Sequence, residues 1–178
     1  MVTERYNFMK KINNYEWSSL LDLTGKGLNQ FNAVDQNLNC SQLMNNANLD
    51  WNVEMKPVLF AKDTDIVKSD KFYSLVKDDR EVLVSGLTDS YHPMQNSQIA
   101  HIGDYVSRNT GIKFEHAFSY DRDKYVTFLA KTNGQFNIGD DVVKSYIMFN
   151  NFHTGRDKSS ILTTNISVWC SNTFMNAL

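Results

Sequence analysis

The chain has 178 residues and a mass of 20.5 kDa, which suits one domain and is enough to bury a core without disulfide or metal staples. Hydrophobic residues make up 42% and charged residues 21%; with a mean hydropathy of -0.43 and no long apolar run, no segment reads as a membrane-spanning helix. Eighteen Lys and Arg against twenty Asp and Glu leave a formal charge of -2, which excludes a global positive field, so any nucleic-acid site has to be local.

The opening residues Met1 to Tyr6 lack the basic start and apolar stretch of a signal peptide. Cys40 and Cys170 form neither a disulfide framework nor a zinc-spaced cluster, which points to a reducing cytoplasm. Residues 1–48 are Asn-rich and weakly periodic, with helices expected at Tyr15 to Leu23 and Cys40 to Asn48. They read as a helical N-terminal region that could serve as an oligomerisation arm, ahead of a core domain over 49–178.

From Leu49 the pattern changes. Trp51, Val53 and Met55 share one parity, and Val58 to Phe60 continue past Pro57, as in a strand. Lys71 to Lys77 and Glu81 to Leu87 flank the charged turn Asp78-Asp79-Arg80 and read as a hairpin. Between Asn96 and Asn109, Ile99, Ile102, Tyr105 and Val106 recur at helical spacing, with Asn96 placed as the N-cap and Gly111 where the helix stops. Phe114 to Tyr120, Lys124 to Lys131, Val142 to Phe149 and Ser160 to Cys170 read as strands. They are separated by Asp121-Arg122-Asp123, by Asn133-Gly134 and by the polar loop His153 to Ser159. The fold class is therefore α+β in one domain, a mostly antiparallel sheet in the C-terminal half packed with a central helix at about 96–109.

Motifs for nucleophilic or phosphate-loop chemistry are missing, and Thr24-Gly25-Lys26-Gly27 lacks both the strand and the glycine spacing of a phosphate loop. No catalytic residue, cofactor site or metal site is assigned. His116, Asp140, Asp141 and His153 are the available ligands for a metal-dependent nuclease, but their spacing matches no metal motif. The loop from His153 through Arg156 to Lys158 could hold a phosphate with an imidazole, a guanidinium and an ammonium, or it could be a solvated turn. On the last strand Leu162, Ile166, Val168 and Cys170 form an apolar row expected to pack, while Thr163, Asn165, Ser167 and Trp169 form a polar one. Arg122, Lys124, Lys131 and Lys144, the last two read as lying at strand ends, interleave with Tyr120, Tyr125, Tyr146 and Phe149 as a single-strand-binding groove would require. Aromatics in strands also serve as core, and residues 111–160 hold seven basic and six acidic side chains, so one subunit alone would bind weakly.

Four elements occur in a characteristic order: Asp89-Ser90-Tyr91-His92-Pro93-Met94-Gln95-Asn96, Phe114-Glu115-His116-Ala117, Phe149-Asn150-Asn151-Phe152-His153-Thr154-Gly155 and Val168-Trp169-Cys170-Ser171-Asn172-Thr173. With Leu49-Asp50-Trp51-Asn52-Val53-Glu54 they resemble a phage and plasmid-like protein family of unknown function, over residue 49 to the end. Two departures stand out: Thr154 follows His153 where the family more often has Asp, and the chain stops at Leu178 where members continue further. The family's phage setting and a distant likeness to Red-beta-type annealing proteins imply a function. It is ATP-independent annealing of complementary single strands in the cytoplasm of an infected bacterium, by a protein that is not an enzyme.

Under that resemblance the expected partners are single-stranded DNA, the duplex annealing intermediate, further copies in rings or filaments, and a phage exonuclease, with no membrane. The nucleic-acid residues would be Tyr91, Gln95, Lys124, Lys131, Lys144, His153, Arg156, Lys158, Asn165 and Asn172. A metal-dependent nuclease and a phage structural or assembly protein are the alternatives.

Overall fold

The computed structural model describes residues 31–32, 38–78, 80–138 and 141–167. The expected helix at Tyr15 to Leu23, the Thr24-to-Gly27 segment and the residues Asp79, Asp140, Val168, Trp169, Cys170 and Asn172 lie outside the described residues. Along the chain run β1 (Phe31–Asn32), α1 (Cys40–Asn46), β2 (Val53–Lys62), β3 (Asp65–Lys77), β4 (Glu81–Leu87), α2 (Asn96–Thr110), β5 (Lys113–Tyr120), β6 (Tyr125–Ile138), β7 (Asp141–Phe152) and β8 (Ser160–Ser167). The strands form a five-stranded sheet in the order β1-β5-β6-β7-β8 and a three-stranded sheet β2-β3-β4, with antiparallel pairing throughout. The fold is α+β in a single domain.

Strand alternation decides what each face of the large sheet carries. Phe114, Ala117, Val126, Phe128, Ala130 and Phe149 enter the main core, which also takes Leu43 from α1, Ile99 and Ala100 from α2, and Val53, Leu75, Leu83 and Leu87 from the small sheet. Phe118, Leu129, Tyr146 and Met148 form a second, smaller buried cluster on the opposite face. Register confirms the split, with Phe128 opposite Phe149 and Leu129 opposite Met148.

The helix α1 begins with a reciprocal cap, in which Asn39 Oδ1 accepts from Gln42 N and Gln42 Oε1 accepts from Asn39 N. The helix α2 ends at Gly111, whose φ of 75° is left-handed and whose N–H donates to Ser107 O at 2.8 Å. Its buried face is Asn96, Ile99, Ala100 and Gly103, with Val106 packed beside it. Ile102 and Tyr105, part of the same apolar spacing in the sequence, face outward. At Gly103 the backbone lies so close to Phe114 and Cys40 that a β-carbon would sit 2.8 Å from the Phe114 ring, so the missing side chain is what lets α2 seat against α1 and β5.

Four expectations about elements are corrected. Asn96 is the first residue of α2, not its N-cap; the cap position is Gln95. Asn133-Gly134 does not separate two strands: β6 runs through it to Ile138, and the pairing with β7 shifts register between Lys131 and Gln135. Lys131 therefore lies inside a strand, and Lys144 lies inside β7 opposite Gln135. Leu162 is 52% exposed, so the apolar row of β8 is not packed there.

Beyond Tyr73 the small sheet narrows. The strand β4 pairs only with Tyr73 to Lys77, so the segment from Leu59 to Lys68 is a two-stranded hairpin with Leu59, Phe60 and Ile66 exposed at its tip.

Candidate functional site at the junction of the two sheets

A buried polar cluster forms where the start of β2, the start of α2 and the end of β7 meet. Asn96 donates from Nδ2 to Leu49 O at 2.9 Å, which fixes the amide so that Oδ1 faces Asn151 and His153. Asn151 Nδ2 donates to that oxygen at 2.9 Å and to Met94 O at 3.0 Å, while Ser159 Oγ donates to Asn151 Oδ1 at 2.7 Å. His153 Nε2 lies 3.0 Å from Asn96 Oδ1 and its backbone N–H donates to Lys124 O. Burial dominates this imidazole: it pushes the His153 pKa down to about 4, with the Asp123 carboxylate opposing and the Lys77 ammonium reinforcing the shift.

The Lys77 ammonium pairs with Asp123, which also accepts from Ser119 Oγ, and it stands 4.7 Å above the Trp51 ring. Trp51 and His153 have ring centroids 5.0 Å apart. The cluster thus joins the β3–β4 end of the small sheet to the β5–β6 turn of the large one. That turn is unusual, since Asp121, Arg122 and Asp123 all have positive φ, at 47°, 54° and 63°.

On the outside of this junction lies a different surface. Tyr120 and Tyr125 stack with centroids 4.7 Å apart and planes 7° from parallel, and Phe152 meets Tyr125 edge-on at 5.3 Å. Desolvation and neighbouring carboxylates push the Tyr120 phenol up to about 12. The loop after β7 folds over the pair: Thr154 Oγ1 accepts from the Arg156 and Asp157 amides, and Asp157 accepts from Tyr125 Oη at 3.3 Å. Arg122, Arg156 and Lys158 are exposed here and Lys124 is partly so, facing Asp121 at 3.5 Å. Four cations stand against Asp121 and Asp157, because Asp123 is taken up by Lys77. The corner is locally positive on a chain that is not.

The ten residues expected to touch nucleic acid part company in the structure. Lys124, Arg156 and Lys158 come together at this corner. His153 does not join them: it is fully buried and neutral, so it cannot offer a cation to a phosphate. Gln95 is likewise engaged, its side chain accepting from Val53 N and donating to Val53 O. Tyr91 is half-buried against the same loop, its phenol hydrogen-bonded by the Gly155 backbone and pushed up chiefly by burial.

Lys131 and Lys144 lie six or more residues along the strands from Tyr125, roughly 20 Å away at strand rise. There Lys131 pairs with Glu115 at 3.6 Å, and Lys144 adds to the burial that lowers the His116 pKa. Asn165 sits on β8 and accepts from Ser145 Oγ. As base platforms Tyr146 and Phe149 are corrected: Phe149 is fully buried, and Tyr146 is buried with its Oη donating to Glu115, an arrangement that raises its pKa. Among the described residues no group of three His, Cys, Asp or Glu is placed to hold a metal ion. No described helix is long and apolar enough to cross a membrane.

Residues 84–178, just over half of the chain, match the family described as a domain of unknown function, DUF932. The chain belongs to the DUF932 family. It matches no curated protein and no solved structure. The match covers two of the motifs that meet at the junction in this DUF932 chain, the one holding Gln95 and Asn96 and the one holding Asn151 and His153, together with Phe114 to Ala117 on β5, and it carries no link to annealing proteins. Lys77 and Asp123 were not foreseen, because a lone Lys and a lone Asp 46 residues apart give no local signal.

Proposed function

We propose that this DUF932 protein binds single-stranded DNA at the corner formed by the β5–β6 turn and the His153-to-Ser159 loop, and promotes ATP-independent annealing of complementary strands as an assembly of several copies. The observation that carries the proposal is the near-parallel Tyr120–Tyr125 pair set among Arg122, Lys124, Arg156 and Lys158. Rings of this kind stack bases without reading them, and the cations neutralise phosphates on either side. The buried cluster behind is the scaffold: the His153 amide holds the Lys124 carbonyl, so the turn and the loop keep a fixed spacing. Annealing then needs only that a strand be held extended with its bases presented to a complement.

Fluorescence anisotropy with a labelled oligonucleotide tests the site. Reversing Arg156 and Lys158 to Glu should leave the melting temperature nearly unchanged, because both side chains are exposed. It should weaken binding at least tenfold at low salt and flatten the log–log salt slope by about 1.4, two single-strand contacts' worth. Unchanged affinity and slope would remove the loop from the site. Complementary oligonucleotides should pair faster with the parent protein and no nucleotide; shortened strands in the presence of magnesium would point to nuclease action instead.

A further inference from the structure

Two buried polar atoms at the junction, Trp51 Nε1 and His153 Nδ1, have no hydrogen-bond partner among the described residues. Trp51 is 7% and His153 0% exposed, so bulk solvent does not serve them. Their chemistry is complementary. Because Asn96 Nδ2 must face the Leu49 carbonyl, Asn96 Oδ1 is the acceptor at His153, and His153 Nε2 has to carry the proton. Asn151 Nδ2 also lies 3.3 Å from that nitrogen, but its two protons go to Met94 O at 3.0 Å and Asn96 Oδ1 at 2.9 Å, so it does not contest the assignment. The neutral ring then presents a lone pair at Nδ1, while an indole can only donate.

From these two unpaired atoms, on rings 5.0 Å apart, we infer a binding site for one buried water, which accepts from Trp51 Nε1–H and donates to His153 Nδ1. Such a water completes the polar cluster and locks both rings, and through His153 it holds the orientation of Asn96 and Asn151. The inference is independent of DNA binding, since the site lies behind the surface proposed to meet DNA.

Solution NMR on the uniformly 15N-labelled full-length chain tests it. The expected results are a His153 ring protonated at Nε2 and bare at Nδ1 in the long-range 1H–15N spectrum, and a cross-relaxation peak between water and the Trp51 indole proton. A Trp51→Phe variant identifies the indole signal by its loss; should that variant fail to fold, separate Trp17→Phe and Trp169→Phe variants assign the other two of the three indole signals and leave that of Trp51. A proton on Nδ1, no water cross-peak, or a scalar coupling between the two ring nitrogens that reveals a direct bond would each overturn the inference. So would a native mass spectrum showing a retained organic molecule whose hydroxyl takes the water's place.

Discussion

His153 is the residue at which burial and charge come into sharpest conflict. Its pKa in the fold is about 4 against an ordinary 6.5, because a buried imidazole resists protonation. Between those values the unfolded chain binds a proton that the folded one refuses. The contribution is fully present above pH 6.5 and lost as pH falls toward 4, an expected drop of roughly 3 kcal/mol. Urea melts at pH 7 and pH 4.5 should show most of this loss, and a His153→Gln variant, though less stable at pH 7, should show a smaller one. Asn96 permits a second check. An N-cap loses about 1 kcal/mol on truncation to Ala, but a buried amide that serves Leu49, Asn151 and His153 leaves several polar groups stranded, so Asn96→Ala should cost 3 kcal/mol or more. A loss near 1 kcal/mol would mean that the cluster relaxes around the gap.

At the level of elements, most strands and the long helix were legible because alternation and helical spacing are local properties, and the hairpin at Asp78 to Arg80 announced itself by its turn residues. The failures share a cause. Asn133-Gly134 has the composition of a two-residue turn, yet pairing with β7 on both sides of it overrides that preference and makes it an irregularity within β6. The motifs that hold Gln95, Asn96, Asn151 and His153 named the right residues, but polar side chains read as surface. Their burial depends on contacts across 42 to 57 residues that no local window contains. The loop after β7 offers a test of how tightly its element is seated. Gly86 and Gly155 have similar positive φ, 83° and 74°, but a β-carbon meets nothing at Gly86 and overlaps Leu87 at Gly155. Gly86→Ala should therefore cost about 1–2 kcal/mol from backbone strain alone, and Gly155→Ala about 2–5 kcal/mol once overpacking is added. Equal losses in thermal melts would show that the loop moves aside.

For the whole molecule the decisive quantity is the formal charge of -2. If the protein acts as proposed, one copy offers only the few phosphate contacts of its corner, so useful affinity for a strand would come from contacts repeated along it. Sedimentation with oligonucleotides of increasing length should show larger assemblies and tighter binding per copy on longer strands; equal affinity for short and long strands, with no change in mass, would refute assembly. The narrow tip of the small sheet has a separate consequence, in how protection from solvent is distributed. From Leu59 to Lys68 each amide depends on a two-stranded ladder with no third strand beside it, whereas β6 is flanked on both sides along Tyr125 to Lys131. In deuterated buffer the tip should exchange within seconds to minutes through local opening, while the centre of β6 waits for global unfolding, so the molecule keeps two clocks and only the slower one reports its stability.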